Sequence, residues 1–412
     1  MPDYKYLIIG GGMTADAAVA GIREIDADGS IGVLSSEEDP PYRRPPLSKG
    51  LWKGIPLDRI GYRTSEQADI HTGKTIQTLN LDEKRAVATD GDEFGYEKLL
   101  LATGGRPRRL PFDAEGVNYF RTLADYRHLR DQTEQGQRFA VIGGGFIGSE
   151  IAAALAMNDK QVTMIFPEAG IGALVYPRDL SDHITNYFRE KSVGVLTDTL
   201  VVGVKQRGAE FLVSTRAHDP AQDQERELLV DGVIAGLGLI PNTELAEEAG
   251  IEVEHGIVVD ELLRTSHEDV FAAGDVAAFT NPALGRRIQV EHEDNAMMMG
   301  QAAGKSMAGA GEPYHHLPYF YTNLFDLAYQ AVGDLDARHE TIADWIEEPY
   351  KRGVVYYLED GRVRGVLLWR MLRQLDAARR LIAEPGPFKP SDLRGRLPEA
   401  PAEQAASNAT AR

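Results

Sequence analysis

The sequence of 412 residues predicts an α/β fold built from two similar βαβ modules and a smaller C-terminal α/β domain. A strand, a glycine-rich loop, a helix and a second strand follow one another near the N-terminus, and the same order recurs in residues 138–168. After residue 312 the pattern changes to short aromatic or β-branched runs, which are typical of strands. A duplicated module is far more specific than a single glycine motif.

The first module begins almost at the N-terminus. The apolar run KYLIIG predicts a strand, MTADAAVAGIREID has the spacing of a helix, and SIGVLSSEE predicts a second strand that ends in acid. Gly10, Gly12 and Ala15 fit the pattern G-x-G-x-x-G/A, in which the first glycine makes the turn and the second admits a pyrophosphate. Glu37 is then placed to accept hydrogen bonds from an adenosine ribose.

The second module carries a complete G-x-G-x-x-G, formed by Gly143, Gly145 and Gly148. Glu168 is its candidate ribose-binding acid, although it follows the strand slightly later than usual. Residues 166–176 contain no Arg or Lys to meet a 2′-phosphate, which favours NADH over NADPH. Two dinucleotide sites in one chain are most economically explained by FAD and NADH.

The segments around the modules predict further strands of the same fold. Residues 97–105, 232–245 and 269–279 each read as an apolar strand entering a glycine turn. The last of them ends in Gly274-Asp275, and Asp275 is placed to bind a ribityl hydroxyl; the alternative is a helix N-cap. Gly104 and Arg108 are candidates for the FAD phosphates, with a surface arginine as the alternative for Arg108.

The C-terminal part predicts helices and a sheet. Residues 290–309 have helical spacing, and several strand candidates follow, two of them joined by a hairpin signal at Glu359-Asp360-Gly361. Residues 367–384 predict an amphipathic helix that packs on this sheet, with a membrane-quinone contact as the alternative. The tail after residue 388 is rich in Pro, Ala and Glu and is expected to be disordered.

Composition excludes several classes of function. There is no cysteine, which excludes disulfides, thiolate metal sites and redox-active cysteine pairs. The formal net charge of -19 argues against nucleic acid or an anionic membrane as the main partner. The sequence contains no run of 18 apolar residues, so it predicts no membrane-spanning helix. The first predicted strand begins too near the N-terminus to leave room for a signal peptide. We therefore expect a cytoplasmic protein.

The motifs resemble the two-dinucleotide flavoprotein superfamily, and within it the group of ferredoxin and rubredoxin reductases and apoptosis-inducing factor. The resemblance covers roughly residues 4–385 and rests on PYRRPPLSK, LLLATGGRPR, GGGFIGSE, GLIPNTELA, FAAGDVAAF and VEHEDNA. FPEAG, EHEDNA, FYTNL and VLLWRMLRQLDAARRLI are similar to the apoptosis-inducing-factor branch.

The resemblance implies two Rossmann-like nucleotide-binding domains of the glutathione-reductase type plus a C-terminal α/β domain. The predicted boundaries are 1–125 and 255–311 for a split FAD-binding domain, 126–254 for the NADH-binding domain, 312–388 for the C-terminal domain and 389–412 for a disordered tail.

The resemblance also implies a catalytic set of Lys49, Glu150, Phe146 and His292. Lys49 would lie beside flavin N5 and pair with Glu150, while Phe146 would shield the flavin face. His292, at the start of a helix aimed at the flavin, would lie near NADH, and Arg44 near the flavin phosphates or ring. From the residues alone, Lys49 and Glu150 are equally explained as solvated surface charges, Arg44 as part of a surface ion pair, and Phe146 and His292 as structural residues.

One position departs from the family pattern, because Tyr321 stands where many members carry a tryptophan near the flavin. Tyrosine offers a smaller stacking area, which puts the family's acceptor assignments in doubt for this chain. The full predicted cofactor-binding set is Gly10, Gly12, Met13, Thr14, Ala15, Glu37, Arg44, Lys49, Ala102, Thr103, Gly104, Arg108, Gly143, Gly145, Phe146, Ile147, Gly148, Glu168, Gly238, Gly274, Asp275, Glu291, His292 and Tyr321.

The predicted activity is that of an FAD-dependent NAD(P)H oxidoreductase, in which hydride passes from NADH to flavin N5 and electrons leave for an unknown acceptor. Three functions remain open at this point. They are an apoptosis-inducing-factor-like redox sensor with an NADH charge-transfer complex and a homodimer, a reductase of a ferredoxin or rubredoxin that feeds an oxygenase or P450 system, and a direct reductase of quinone or another small molecule.

Overall fold

The structure is a computed structural model that describes residues 2–112, 114–219, 221 and 225–398. The helices are α1 Met13–Ile25, α2 Leu123–Gln135, α3 Phe146–Met157, α4 Arg178–Glu190, α5 Glu244–Glu248, α6 Glu293–Met307, α7 Leu375–Ala383 and α8 Pro390–Leu393. The strands are β1 Asp3–Ile9, β2 Ile31–Leu34, β3 Asp69–His71, β4 Ile76–Asn80, β5 Arg85–Ala88, β6 Glu93–Leu101, β7 Gly105–Pro107, β8 Asn118–Tyr119, β9 Arg138–Ile142, β10 Gln161–Ile165, β11 Gly194–Leu196, β12 Thr199–Arg207, β13 Glu210–Ala217, β14 Glu225–Val230, β15 Gly232–Ala235, β16 Leu239–Pro241, β17 Ile257–Val258, β18 Val270–Ala272, β19 Ala277–Asn281, β20 Arg286–Gln289, β21 Tyr319–Leu324, β22 Leu327–Gly333, β23 Glu340–Trp345, β24 Gly353–Glu359 and β25 Arg362–Trp369.

The chain folds into two compact units. Unit 1 comprises Met1–Arg108, Phe120–His128 and Gly238–Pro318, and unit 2 comprises Arg109–Tyr119, Leu129–Leu237 and Tyr319–Arg412. The C-terminal sheet therefore belongs to the same unit as the second glycine-loop module. The predicted domain boundaries remain a prediction.

Unit 1 is organised around a sheet in the order β3-β2-β1-β6-β5-β4, with β18 beside β6. Strands β1, β2, β6 and β18 are parallel, so their carboxyl ends meet at one edge of the sheet. The apolar run of β1 is buried on both faces, as expected for a central parallel strand. This edge brings together the first glycine loop, the turn after β6 and the turn after β18.

Helices α1 and α6 of unit 1 pack with their backbones in close approach. A Cβ at Gly21 of α1 would lie 2.2 Å from the carbonyl oxygen of Gln301. In α6, a Cβ at Gly300 would lie 2.4 Å from the Thr14 oxygen, and one at Gly304 would lie 2.1 Å from the Ala18 oxygen. Only glycine tolerates such separations, so these residues set the distance between the two helices.

Unit 2 contains the second module as a parallel sheet in the order β11-β10-β9-β15-β8. An antiparallel sheet, β12-β13-β14, shares a core with it that includes Val213, Val233 and Ala140. The C-terminal sheet is antiparallel in the order β21-β22-β25-β24-β23, and α7 packs on it.

The predicted helix over residues 367–384 is wrong in its first half. Residues 367–369 complete β25, where Trp369 pairs with Tyr329, and the helix runs only over Leu375–Ala383. The predicted disorder also begins too early, since α8 is folded and Leu393 and Leu397 are buried. Residues 399–412 of the predicted tail lie outside the described residues.

Among the described residues, no helix combines the length and the apolar character needed to cross a membrane. The cytoplasmic location stays a prediction.

The glycine contacts between α1 and α6 give a direct stability prediction. Gly304→Ala should lower the free energy of unfolding by about 1–3 kcal/mol, because the added methyl group collides with backbone. At an exposed helical position the same change would be stabilising by ~1 kcal/mol. Chemical denaturation measures the sign, with Met298→Ala, at a side chain that is 43% exposed in the same helix, as the control. A more stable Gly304→Ala protein would contradict this packing.

Candidate active site

The first glycine loop of unit 1 is shaped by contact with the turn after β6. Gly10 has φ +120, and a Cβ there would lie 2.0 Å from the carbonyl oxygen of Ala102. Gly12, the N-cap of α1, is extended, and a Cβ on it would meet no protein atom within 4 Å. Met13 starts α1 and Thr14 is buried against Gly274, so the turn before Asp275 lies beside the helix N-terminus.

The second glycine loop, in unit 2, repeats this geometry with different neighbours. Gly143 has φ +110, and its Cβ would lie 2.3 Å from the carbonyl oxygen of Gly236. A Cβ at Gly148 would lie 2.1 Å from the Gly143 oxygen, which explains the third glycine. Gly145 is extended, and a Cβ on it would again meet nothing within 4 Å.

Both loops fit a dinucleotide pyrophosphate on their open side. In each, the first glycine is pressed against backbone while the middle glycine faces space that a side chain would fill. The N–H groups that begin α1 and α3 have no partner within their own helix, and the helix dipole favours an anion there. The residues present therefore suit FAD in unit 1 and NADH in unit 2.

Glu37 is held by a small polar cluster in unit 1. Its carboxylate accepts a hydrogen bond from the Tyr42 hydroxyl at 2.6 Å and is paired with Arg44. The Tyr42 hydroxyl in turn accepts the N–H of Leu123 at 2.8 Å. A carboxylate has further acceptor sites, so ribose binding by Glu37 stays a prediction. Arg44 forms the ion pair considered in the sequence, but one that is largely buried.

Arg121 joins this site, although the sequence did not single it out. Its Nη2 lies 2.7 Å from Oδ2 of Asp275, and it is the nearest group that a Cβ on Gly104 would meet, at 3.7 Å. The backbone oxygen of Arg121 accepts a hydrogen bond from Arg44. Since 154 residues separate Arg121 from Asp275, no local pattern could have revealed the pair.

The N-terminus of α6 carries Glu291 and His292, with His292 as the N-cap residue. Desolvation lowers the pKa of His292 to about 4, although the negative charges of Asp275 and Asp294 oppose the shift. His292 is therefore neutral near pH 7 and can donate or accept a hydrogen bond without bringing a positive charge to the site.

Lys49 lies between two short 3-10 helices, Pro45–Ser48 and Gly50–Lys53, and is half-buried. Its Nζ is 3.5 Å from the Ser48 hydroxyl. Lys49 belongs to unit 1 and Glu150 to unit 2, and their pairing remains a prediction.

Glu150 is a buried carboxylate in α3, with 4% of its surface exposed. Its Oε1 accepts a hydrogen bond from the Thr322 hydroxyl of β21 at 2.5 Å. Phe146, the first residue of α3, packs against Phe320 with 4.9 Å between ring centroids. Tyr321 lies between these two β21 residues and is half-buried. The C-terminal sheet therefore contacts the same helix that carries the second glycine loop.

Glu168 lies in the loop after β10, which is fastened to the glycine loop by a hydrogen bond from Gly172 N–H to the Gly144 oxygen at 2.8 Å. At the end of this loop, the hydroxyl groups of Tyr176 and Tyr329 are hydrogen-bonded to each other. Burial raises the pKa of both phenols, and the charge of Glu150 adds to the shift, so both stay protonated.

The remaining predicted residues occupy supporting positions. Thr103 donates its hydroxyl to the Asn242 oxygen at 2.8 Å, and Gly238 accepts the backbone N–H of Arg108 at 2.9 Å. Ile147 is an exposed residue of the first turn of α3.

Two glycine-loop modules of this geometry define a class of enzyme that brings a flavin and a nicotinamide together. The model of the pyridine nucleotide-disulphide oxidoreductase family matches residues 4–303, and that of the C-terminal region of mitochondrion-associated apoptosis-inducing factor matches residues 345–384. The chain belongs to the pyridine nucleotide-disulphide oxidoreductase family.

Similar proteins span nearly the whole chain. Mitochondrial apoptosis-inducing factor 1 of Dictyostelium discoideum is 31% identical, over 92% of this chain and 78% of that protein. The ferredoxin–NAD(+) reductase component of the anthranilate 1,2-dioxygenase system of Burkholderia cepacia is 33% identical, over 92% of this chain and 94% of that protein. A chain of the covalent putidaredoxin reductase–putidaredoxin complex has a TM-score of 0.85 and 28% identity, over 95% of both chains.

These findings confirm the predicted resemblance, fold class and enzyme class. The protein is an FAD-dependent NADH oxidoreductase of the ferredoxin reductase type, with similarity to apoptosis-inducing factor as well. FAD and NADH are the cofactors that the family implies, as predicted, and relatives named as NAD(+) reductases agree with the predicted preference for NAD.

Because each glycine loop has its own open side, a substitution in one loop should impair NADH binding and a substitution in the other should impair FAD binding. Gly145→Val should leave FAD content and stability unchanged but raise the Kd for NADH by more than about tenfold, equivalent to ~1.4 kcal/mol. Gly12→Val should instead purify without flavin, because its side chain fills the other pyrophosphate position. Absorbance spectra and NADH titration measure both, with Gly203→Val in β12 as the control, because a Cβ there would make only an ordinary contact with Ser214, at 3.8 Å. Normal NADH binding by Gly145→Val would contradict the assignment of this loop.

Proposed function

We propose that this enzyme passes the electrons of NADH to a small iron–sulfur protein that docks through an acidic surface. Each NADH would reduce two such partners by one electron each, with release of NAD and a proton. The observation that carries this proposal is a basic segment, residues 42–63, in a chain whose net charge is -19.

The basic segment contains six lysines or arginines and one aspartate, and it includes Lys49. The side chains of Arg43 and Arg63 are 52% and 86% exposed, and Lys53 and Arg59 are exposed as well. A local field of this sign attracts an acidic partner over about a Debye length, ~8 Å at physiological salt, despite the acidic remainder. The similarity to a ferredoxin–NAD(+) reductase and to putidaredoxin reductase supports the same class of partner.

The absence of cysteine supports an acceptor outside the chain. Members of a family named for disulphides can pass electrons to a cysteine pair, but this chain contains no cysteine. Its own redox chemistry would therefore end at the flavin.

The residues of the site would divide the work between binding and orientation. FAD, when bound, supplies the hydride acceptor and the route to one-electron transfer. The second glycine loop and Glu168 would hold NADH, and neutral His292 would hydrogen-bond near the reacting groups. Lys49 and Glu150 would form a charge pair that orients the site, as the family resemblance implies. By aligning the two cofactors, these residues would supply most of the rate enhancement.

A second candidate is a redox sensor similar to apoptosis-inducing factor. The match of residues 345–384 to the C-terminal region of that factor favours it, together with the 31% identity to the Dictyostelium protein. In this function the NAD(+) formed from NADH would stay bound beside the reduced flavin as a long-lived charge-transfer complex, and the complex would favour a homodimer.

Anaerobic stopped-flow measurements distinguish the candidates. The flavin of the loaded protein is first reduced with NADH and then mixed with a purified [2Fe–2S] ferredoxin. We expect rapid reoxidation whose rate falls with added salt and falls at least about tenfold in Lys53→Glu/Arg63→Glu, because both changes weaken electrostatic steering.

The control is Lys205→Glu/Arg207→Glu, which makes the same charge change on exposed residues of β12 in unit 2. Equal rates in both double variants would contradict docking on the basic segment. A reduced flavin that persists in air and accompanies a doubling of molecular mass would favour the sensor instead. Reoxidation by quinone alone would contradict both candidates.

A further inference from the structure

The buried carboxylate of Glu150 accepts a hydrogen bond from a residue of the C-terminal sheet. Burial of a charge costs free energy unless hydrogen bonds replace the lost water. Thr322, itself only 2% exposed, donates its hydroxyl to Oε1 of Glu150 at 2.5 Å. The two residues are 172 positions apart and belong to the same unit.

Thr322 is held in place by the row of residues beside it in the sheet. It pairs with Tyr329 of β22, and Tyr329 pairs with Trp369 of β25, so the three side chains share one face. Tyr329 stacks on Trp369 with 5.6 Å between ring centroids, and all three residues are buried. Side chains packed in this way have little rotational freedom, so the Thr322 hydroxyl is presented to Glu150 in a fixed position.

The same strand also fixes the start of α3. Phe320, two residues before Thr322 and on the same face, packs against Phe146. Glu150 is therefore restrained at its backbone by this ring contact and at its carboxylate by the hydroxyl. A single strand of the C-terminal sheet supplies both restraints.

We propose that Thr322 is a positioning residue for the reaction with NADH, acting by holding the carboxylate of Glu150 in its working orientation. This inference rests on the proposed role of Glu150, and it is independent of the proposed iron–sulfur partner. Thr322 itself need not touch either cofactor. A hydroxyl at this position suffices, because the hydrogen bond and not the methyl group carries the effect.

Thr322→Val tests the proposal, since it keeps the shape of the side chain and removes the donor. In single-turnover reduction of the bound FAD by NADH, we expect the rate at saturating NADH to fall about tenfold. The Kd for NADH should change less than about twofold, because Glu150 is not part of the predicted ribose or pyrophosphate contacts. Thr322→Ser, which keeps the hydroxyl, should restore the rate to within about twofold.

The matched control is Thr215→Val. Thr215 is 1% exposed in β13, and its hydroxyl donates to the Arg226 oxygen at 3.2 Å, so the same substitution removes a buried hydrogen bond elsewhere in unit 2. Its rate of flavin reduction should equal that of the unaltered protein. An equal loss of rate in both variants would overturn the proposal in favour of general destabilisation.

A double-mutant cycle with Glu150→Gln then tests whether Thr322 acts through Glu150. We expect the double variant to be no slower than Glu150→Gln alone, because a residue that acts through another adds nothing once the other is changed. Additive losses would overturn the proposal. Normal reduction by Glu150→Gln would refute the assigned role of Glu150, whereas failure of the iron–sulfur partner would leave this half-reaction unchanged.

A measurement without NADH completes the test. The loss of unfolding free energy caused by Thr322→Val should shrink in a Glu150→Leu background, because leucine offers the Thr322 hydroxyl no acceptor. A loss of the same size in both backgrounds would show that the hydroxyl does not act on the carboxylate.

Discussion

Each nucleotide-binding module depends on one close contact between the backbone of its glycine loop and the backbone of a neighbouring turn. In unit 1 the Cα of Gly10 lies so close to the carbonyl of Ala102 that a Cβ would be 2.0 Å from its oxygen, and in unit 2 Gly143 stands in the same relation to Gly236. Both glycines have positive φ values, which other residues rarely adopt. The chain can therefore turn from strand to helix directly above its neighbouring strand. The helix N-terminus and the open middle glycine then face one place, which is what a pyrophosphate needs.

The local parts of the fold and site could be predicted from the sequence, because their causes are local. The glycine spacings, the apolar strands before them and the small residues of α1 lie within a few turns of one another, and the family comparison confirms the fold class. The helix predicted at residues 367–384 is wrong in its first half, because a distant strand determines the structure of that part. The run VLLW has no period that separates helix from strand, and its state is decided by pairing with β22.

The polar contacts that surround the site were beyond the reach of the sequence. Arg121 meets Asp275 across 154 residues, and Thr322 meets Glu150 across 172. Arg121 stands in none of the motifs, and although Thr322 lies within FYTNL, nothing in that segment indicates its partner, because only the fold brings each residue near the acid that it contacts. The sequence did predict that Asp275 and Glu150 matter, but not which residues hold them. The sequence also identified Tyr321 as a departure from the family pattern, and its neighbour Thr322 donates a hydrogen bond to Glu150.

Two separate modules of one chain would hold FAD and NADH so that the nicotinamide reduces the flavin. An anaerobic titration of the FAD-loaded protein with NADH, followed by flavin absorbance, tests it most directly. We expect one equivalent of NADH to bleach one FAD per chain, with a sharp end point. NADH that binds without bleaching the flavin, or a protein that binds no FAD at all, would contradict it.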